Sequence, residues 1–170
     1  MLENLKNYNI ILASKSPRRQ ELLKGIGLNF NVLTKEVDES FSKNIPVFDV
    51  APFLSLKKAK AFDDSELPEN YMVVTADTVV IVDDSILGKP KDEDDARKML
   101  RLLSGKKHSV VTGVTIYTSE KTKTFSVTSK VSFDVLDDDE IEYYVNNYKP
   151  FDKAGSYGVQ EWIGYRSEER

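Results

Sequence analysis

Two arginines stand where a helix is expected to begin. Ser16 is a typical N-cap and Pro17 suits the first helical position, so Arg18 and Arg19 fall in the first turn. Positive charge is unfavourable there, by about 0.3–1 kcal/mol for each side chain. A bound anion would remove the conflict, because backbone amides, both guanidinium groups and the hydroxyls of Ser14 and Ser16 would converge on it. Two solvated arginines at an exposed helix end are the alternative.

A carboxylate interrupts an apolar stretch of the chain. Asp77 lies between residues 72–74 (M-V-V) and 79–82 (V-V-I-V), in a segment, 71–82, that favours a strand interrupted at 75–77. A buried carboxylate is costly unless it is paired, hydrogen-bonded or bound to a metal ion. Asp77 is therefore a candidate general base or cation ligand. A turn or bulge aspartate, exposed at the strand break, is the alternative.

Two lysines and a glycine-containing loop add polar groups that could bind phosphate. Lys58 lies beside the apolar face of a helix expected from about Asp49 to Phe62, although Lys57 is nearly as close to that face. A lysine in such a place can also extend to solvent. Lys89, in a Gly-Lys-Pro turn, is weak evidence alone. Residues 152–160 (D-K-A-G-S-Y-G-V-Q) allow close backbone approach to a ligand, or form a plain surface loop.

Composition excludes several kinds of chemistry. The chain of 170 residues contains no cysteine and one histidine, so thiolate sites, disulfides and paired-histidine catalysis are excluded. That residue, His108, is expected on the surface rather than in a catalytic role. The 24 basic and 28 acidic residues give a net charge of −4, which argues against a generally basic surface for nucleic acid. Carboxylates, lysine, arginine, hydroxyls and an oxygen-bound metal remain.

Helices interspersed with strands must position these groups. Acidic clusters at 92–95 and 137–140 are interpreted as helix starts rather than metal sites. The pattern predicts one α/β or α+β domain over residues 1–170, with a mixed sheet. Expected strands are 9–13, 29–34, 71–82, 110–116 and 125–135; the expected helices start at Pro17 (with Gly27 as the stop), near Asp49, at about Asp92 and at about Asp137.

The expected location is the cytoplasm. No apolar run approaches the roughly 20 residues that span a membrane. The first eight residues, M-L-E-N-L-K-N-Y, lack the pattern of a signal peptide. Neither a membrane nor a nucleic-acid partner is therefore expected.

Seven segments form a specific set when they are taken together. They are L-A-S-K-S-P-R-R-Q-E-L-L (12–23), V-D-E-S (37–40), K-K-A-K-A (57–61), A-D-T-V-V (76–80), G-K-P (88–90), S-G-K-K-H-S-V-V-T-G-V (104–114) and D-K-A-G-S-Y-G-V-Q (152–160). In this order, and over nearly the whole chain, they make the sequence resemble the Maf family of nucleoside triphosphate pyrophosphatases. S-x-S-P-R-R with A-D-T and D-K-A-G-x-Y-G-x-Q is the most specific part of the match.

The resemblance implies both a fold and an activity. The implied fold is a mixed, twisted sheet flanked by helices, similar to inosine triphosphatases, with two lobes around a cleft. The implied activity splits a nucleoside triphosphate between its α- and β-phosphates, with Mg²⁺ or Mn²⁺, to a monophosphate and pyrophosphate. The A-D-T and Y-G-x-Q forms are similar to the branch that acts on dTTP and UTP. A homodimer is compatible with the resemblance.

The resemblance also implies roles for individual residues. Asp77 matches the proton acceptor that activates water, and together with Glu39 it matches the acidic positions expected at the metal. The resemblance also selects Lys58 over Lys57. The remaining matches fall into two groups. The positions that select the nucleobase correspond to Arg18, Thr78 and Gln160. The positions that bind the triphosphate correspond to Ser14, Arg19, Lys58 and Lys89.

Two departures from the family pattern leave alternatives open. Ser55 stands where the family's helix usually has alanine, which we expect to be harmless. After Gln160 the sequence reads E-W-I-G-Y-R-S-E-E-R, where family members continue through a further strand and helix, so a domain lacking both elements is expected. The alternative functions are a pyrophosphatase for 7-methyl-GTP or another modified nucleotide, and a nucleotide-binding regulator of cell division without catalysis.

Overall fold

Strands and helices alternate along most of the chain. The structure is a computed structural model that describes residues 2–169. Over these residues the strands are β1 (Asn9–Leu12), β2 (Asn31–Val32), β3 (Tyr71–Val82), β4 (Ser85–Leu87), β5 (Lys107–Tyr117), β6 (Thr122–Phe133) and β7 (Ser167–Glu169). The α-helices are α1 (Pro17–Gly25), α2 (Val50–Ala59), α3 (Glu93–Leu103) and α4 (Asp138–Tyr148).

All seven strands belong to one mixed sheet. Its order is β2-β1-β3-β5-β6-β7, and β4 pairs with β3. β1 is parallel to β2 and to β3, with Ile11 opposite Asn31 and Val73. β4 is antiparallel to β3, and β7 is antiparallel to β6. The mixed sheet with flanking helices that the sequence predicts is therefore confirmed.

The chain divides into two compact units. The first comprises Met1–Asp77 and Thr112–Ser126, and the second comprises Thr78–Val111 and Val127–Arg170. The division falls within β3, β5 and β6, so each of these strands contributes residues to both units. Within residues 2–169, no helix combines the length and the apolar composition that a membrane span requires.

The second unit is built around α3 and α4. Ala96, Leu100 and Leu103 of α3 are buried, as their helical spacing predicts, together with Ile141 and Tyr144 of α4. Both acidic clusters begin helices as expected. The Asp92 side chain accepts a hydrogen bond from the Asp95 amide, and Asp137 accepts one from the Glu140 amide within a capping box.

The first unit corrects one expectation from the sequence and confirms another. β3 continues without a break through residues 75–77, so the expected interruption is wrong. α1 ends at Gly25, and Gly27 is the stop that the sequence predicts, because its φ is 76° and its amide donates to the Lys24 carbonyl at 2.9 Å. The helix buries none of its side chains. Leu22 is 70% exposed and Ile26 is 61% exposed, so the apolar face of this helix is not part of the core. That core instead contains Ile11, Phe62, Tyr71 and Val73.

Candidate active site

An ammonium group lies between two carboxylates in the first unit. Lys58 Nζ is 2.5 Å from Asp77 Oδ1 and 2.8 Å from Glu39 Oε1. The Asp77 side chain is 13% exposed and the Lys58 side chain 19%, whereas Glu39 is more than half exposed. Asp77 is thus neither unpaired nor a turn residue. It is a strand carboxylate whose buried charge is offset by a lysine.

The two elements that carry this pair explain its geometry. Lys58 lies in the last turn of α2, and Asp77 lies in the middle of β3. Lys57 points elsewhere, because its Nζ donates to the Ser40 carbonyl at 3.0 Å and pairs with Asp38 at 3.4 Å. The structure therefore separates two adjacent lysines that helical periodicity could not distinguish. Lys58 does not extend freely into solvent.

Arg19 adds a second cation next to Asp77. Its Nη1 donates to the Ala76 carbonyl at 2.7 Å and to Ser14 Oγ at 3.4 Å. Burial lowers the pKa of Arg19 below its ordinary value, and the negative charge of Asp77 opposes that shift. A guanidinium group keeps its charge in proteins all the same. The alternative of a solvated arginine is therefore wrong for Arg19.

The start of α1 is organised by Ser14 rather than by Ser16. Ser16 occupies the N-cap position as expected, but its side chain makes no capping hydrogen bond. Instead, the buried Ser14 Oγ accepts a hydrogen bond from the Ser16 amide at 3.2 Å. Arg18, in the first turn, is half-buried. This arrangement holds Ser14 and Arg19 in place at the carboxyl end of β1.

The other predicted site residues belong to the second unit. Thr78 is half-buried and directly follows Asp77 in β3, while Lys89 and Gln160 are exposed. The Gly-Lys-Pro turn and the glycine-containing loop are tied together, because the Gly155 amide donates to the Gly88 carbonyl at 3.0 Å. Gly155 has a φ of 67°, a conformation that favours glycine.

A buried ion pair stiffens the loop that leads to Gln160, and sequence reasoning did not find it. Lys153 Nζ lies 3.1 Å from Glu161 Oε1 and 2.9 Å from Asp152 Oδ1. The Tyr144 hydroxyl donates to Glu161 and accepts from the Gly158 amide at 3.0 Å. Charged residues eight apart in a loop carry no periodic signal, so only the fold could reveal the pair.

His108 is buried, which corrects the expectation of a surface residue. It is 4% exposed, and its Nε2 is 2.7 Å from the Tyr157 hydroxyl. Its ring also packs edge-on against Phe133 and Tyr157. Burial lowers the pKa of His108 to about 4, so the imidazole is neutral near pH 7. This residue therefore packs in the second unit and contributes no charge there.

The protein groups suitable for a metal ion are few. Among residues 2–169, no cluster of three or more Asp, Glu, His or Cys side chains could hold one. The pair of Glu39 and Asp77 does converge on a single point, which is the Lys58 ammonium. Two carboxylates suit a divalent ion that takes most of its oxygen ligands from phosphate and water, as Mg²⁺ commonly does.

These groups are of the kinds that can support attack of water on a phosphoryl group. A half-buried carboxylate can accept a proton from water. Lysine and arginine beside it can offset the charge that develops on a leaving phosphate group. The hydroxyls of Ser14 and Ser16 can donate to further anionic oxygens.

Comparison with known proteins identifies the family and the relatives of this chain. Residues 9–168 match the family model described as "Maf-like protein". The chain is 47% identical over 166 residues to the dTTP/UTP pyrophosphatase of Phocaeicola vulgatus, an alignment that covers 97% of this chain and 86% of that protein. It is 48% identical to the dTTP/UTP pyrophosphatase of Flavobacterium psychrophilum, covering 95% and 83%.

A solved structure supports the fold. The Ham1 protein of Staphylococcus aureus superposes with a TM-score of 0.54 at 17% sequence identity, over 74% of this chain and 71% of that one. At this identity, the similarity concerns the arrangement of strands and helices.

Proposed function

We propose that this chain, which belongs to the family of Maf-like proteins, hydrolyses dTTP and UTP to the corresponding monophosphates and pyrophosphate. The observation that carries the proposal is the cluster of Asp77, Lys58 and Glu39, with Arg19 bound to the adjacent Ala76 carbonyl. It supplies a base and cations at one place in the first unit. The two relatives named above are called dTTP/UTP pyrophosphatases and share almost half of its residues.

Asp77 is the base in the proposed reaction. It takes a proton from water, the water oxygen forms a bond to the α-phosphorus, and the bond between that phosphorus and the bridging oxygen breaks. Pyrophosphate leaves with the bonding electron pair. Arg19 and Lys58 offset the negative charge that develops on the leaving group.

A divalent cation, Mg²⁺ or Mn²⁺, belongs to this proposal. Glu39 and Asp77 would hold it, because their carboxylates already converge on one cationic group. When bound, the ion would neutralise phosphate charge and polarise the phosphoryl group. In its absence, Lys58 compensates the two carboxylates.

The remaining site residues keep the roles that the family resemblance implies. Ser14, Arg19, Lys58 and Lys89 are assigned to the triphosphate. Selection of the nucleobase is assigned to Arg18, Thr78 and Gln160. Because dTTP and UTP are made and used in the cytoplasm, the proposal retains the expected cytoplasmic location.

Hydrolysis in ¹⁸O-labelled water tests both the activity and the bond that is cleaved. The purified chain is incubated with dTTP and Mg²⁺, the products are separated, and their masses are measured by mass spectrometry. We expect dTMP and pyrophosphate in equal amounts, with the ¹⁸O atom in dTMP. Label found in pyrophosphate would place the attack on the β-phosphorus instead and contradict the proposed step.

Matched variants and a nucleotide panel provide the controls. Asp77→Asn is expected to fold, because Glu39 still pairs with Lys58, and to lose at least about 100-fold in kcat, within the usual range for removing a general base. Asp84→Asn makes the same change at an exposed turn residue and should retain wild-type activity. Turnover of 7-methyl-GTP as fast as dTTP and UTP would reject the substrate assignment.

A further inference from the structure

A second contact between α2 and β3 lies one helical turn before Lys58 on α2 and two residues before Asp77 on β3. The Thr75 hydroxyl donates to the Ser55 carbonyl at 2.6 Å, and both residues are fully buried. Ser55 is three residues before Lys58 on the helix, and Thr75 is two residues before Asp77 on the strand. Helical and strand periodicity therefore place both contacts on the same two facing surfaces.

A chain of hydroxyl groups connects the same turn of α2 to the two strands that follow β3 in the sheet, β5 and β6. Ser55 Oγ donates to the Pro52 carbonyl at 2.9 Å and lies 2.9 Å from Thr115 Oγ1 in β5. Thr115 Oγ1 lies 2.8 Å from Thr124 Oγ1 in β6. Since each hydroxyl has one proton, Thr124 must donate to Thr115, and Thr115 must donate to Ser55. Every proton in this chain, which runs from the buried Ser55 to the half-buried Thr124, is used, which makes it a specific tether.

The start of α2 is fixed by a backbone contact. A Cβ atom at Gly113 in β5 would lie 2.3 Å from the carbonyl carbon of Ala51 and 2.3 Å from the nitrogen of Pro52. Only glycine permits this approach. α2 therefore rests on β5 at its first turn and on β3 and β5 at its second, and its last turn carries Lys58.

We propose that Thr75 is a positioning residue, whose hydroxyl sets the register of α2 on β3 so that the Lys58 ammonium meets Asp77. The inference rests on the proposed function, because Asp77 and Lys58 are its base and one of its cations. A slip of one residue turns a helix by 100° and would carry Lys58 away from the carboxylates. Misplacement of a reacting group by about 1 Å can cost about 100-fold in rate.

Enzyme kinetics of isosteric variants test this role. Thr75→Val keeps the side-chain shape and removes the donor, whereas Thr75→Ser keeps the donor. We expect Thr75→Val to lower kcat by about 10-fold or more with KM changed less than about 3-fold, because Arg19 and Ser14 still bind the substrate. Thr75→Ser should restore most of kcat. If the valine variant is insoluble, Thr75→Ala removes the same hydroxyl with a smaller side chain and carries the same expectation.

Lysine labelling tests the same role without relying on activity. Lys58 and Lys57 are adjacent, and each can be followed by mass spectrometry after brief reaction with an amine-specific reagent. In the wild type Lys58 is shielded between two carboxylates, while Lys57 is a third exposed. Thr75→Val should raise the labelling rate of Lys58 several-fold and leave that of Lys57 unchanged. Ile11→Val, a core change in the same unit, controls for general loss of stability and should change neither rate.

The outcomes separate this inference from the proposed function. Unchanged labelling of Lys58 in Thr75→Val, or an equal rise at both lysines, would overturn the positioning role. So would a serine variant as impaired as the valine variant. Selective exposure of Lys58 in Thr75→Val, found together with a wild-type protein that does not hydrolyse dTTP, would support the positioning role and reject the proposed function.

Discussion

Buried charges in this protein are tolerated because each has a defined partner. Asp77 lies within a strand, where an isolated carboxylate would be expelled to solvent or neutralised. It remains there beside Lys58 and close to the charge of Arg19. In the second unit, the Lys153 side chain is buried to a similar degree as that of Asp77, and it pairs with Glu161. Removing one partner of such a pair costs more than the pair itself contributes, since the other charge is left buried.

His108 makes stability depend on pH in a predictable direction. Burial lowers its pKa in the folded state to about 4, against 6.5 for the free side chain. Between these two pH values the unfolded chain binds more protons, so the free energy of unfolding rises with pH. We expect the contribution of His108, up to about 3 kcal/mol, to be present above pH 6.5 and lost as the pH falls towards 4.

Denaturant unfolding of His108→Gln isolates this effect from that of the carboxylates. The glutamine can still bond to Tyr157 but does not titrate. Between about pH 4.5 and 6, the free energy of unfolding should depend less steeply on pH in the variant than in the wild type. The difference between the two slopes should correspond to nearly one bound proton. Parallel curves for the two proteins would mean that His108 is accessible to protonation in the folded state.

At the scale of elements, local signals predicted what local interactions determine. α3 has an N-cap aspartate, an acidic first turn and apolar residues at helical spacing, and all three are visible in a short window of sequence. The exposed apolar side of α1 and the unbroken course of β3 were not predictable in this way. Both depend on what packs against the element, which comes from distant parts of the chain.

The same reason explains which parts of the candidate site the sequence could predict. Asp77 stood out because it breaks an apolar pattern. The orientation of Lys58 towards it depends on how α2 sits on the sheet, and periodicity alone left Lys57 equally suitable. Thr75 gave no signal, since a threonine in a strand is ordinary, and Ser55 stood out only as a departure from the alanine that is usual in the family. Their role depends on a contact between residues 20 positions apart.

Gly113 provides an element-scale prediction. Any Cβ at this position would overlap the backbone of α2, so Gly113→Ala must displace the helix from β5. We expect a loss of at least about 2–3 kcal/mol in the free energy of unfolding, measured in urea. Gly25→Ala makes the same change at the end of α1, where nothing lies within 4 Å, and should leave stability equal or slightly higher. Equal effects of the two substitutions would show that the close approach is not present in solution.

At the scale of the whole molecule, fold and chemistry have separate origins. A protein with 17% identical residues shares the arrangement of strands and helices, whereas the candidate site depends on particular side chains. The net charge of −4 also opposes binding of a highly anionic nucleotide at long range. In the proposed function, local cations, among them Arg19 and Lys58, and the proposed divalent ion provide the attraction.

Thermal unfolding of the whole chain tests this dependence on cations. A dTTP analogue with a non-hydrolysable α,β-bridge, at about 100 times its Kd with Mg²⁺, should stabilise the folded state by about 2.7 kcal/mol. For a chain of this size that corresponds to a rise in Tm of about 5–10 °C. Chelation of the metal should remove most of the rise, because Lys58 already compensates Glu39 and Asp77 and could not also neutralise the charge of the triphosphate. The corresponding nucleoside without phosphates is the control and should give little shift. An equal rise with and without chelator would show that the protein's own lysines and arginines suffice for binding, and would confine the divalent ion to the chemical step.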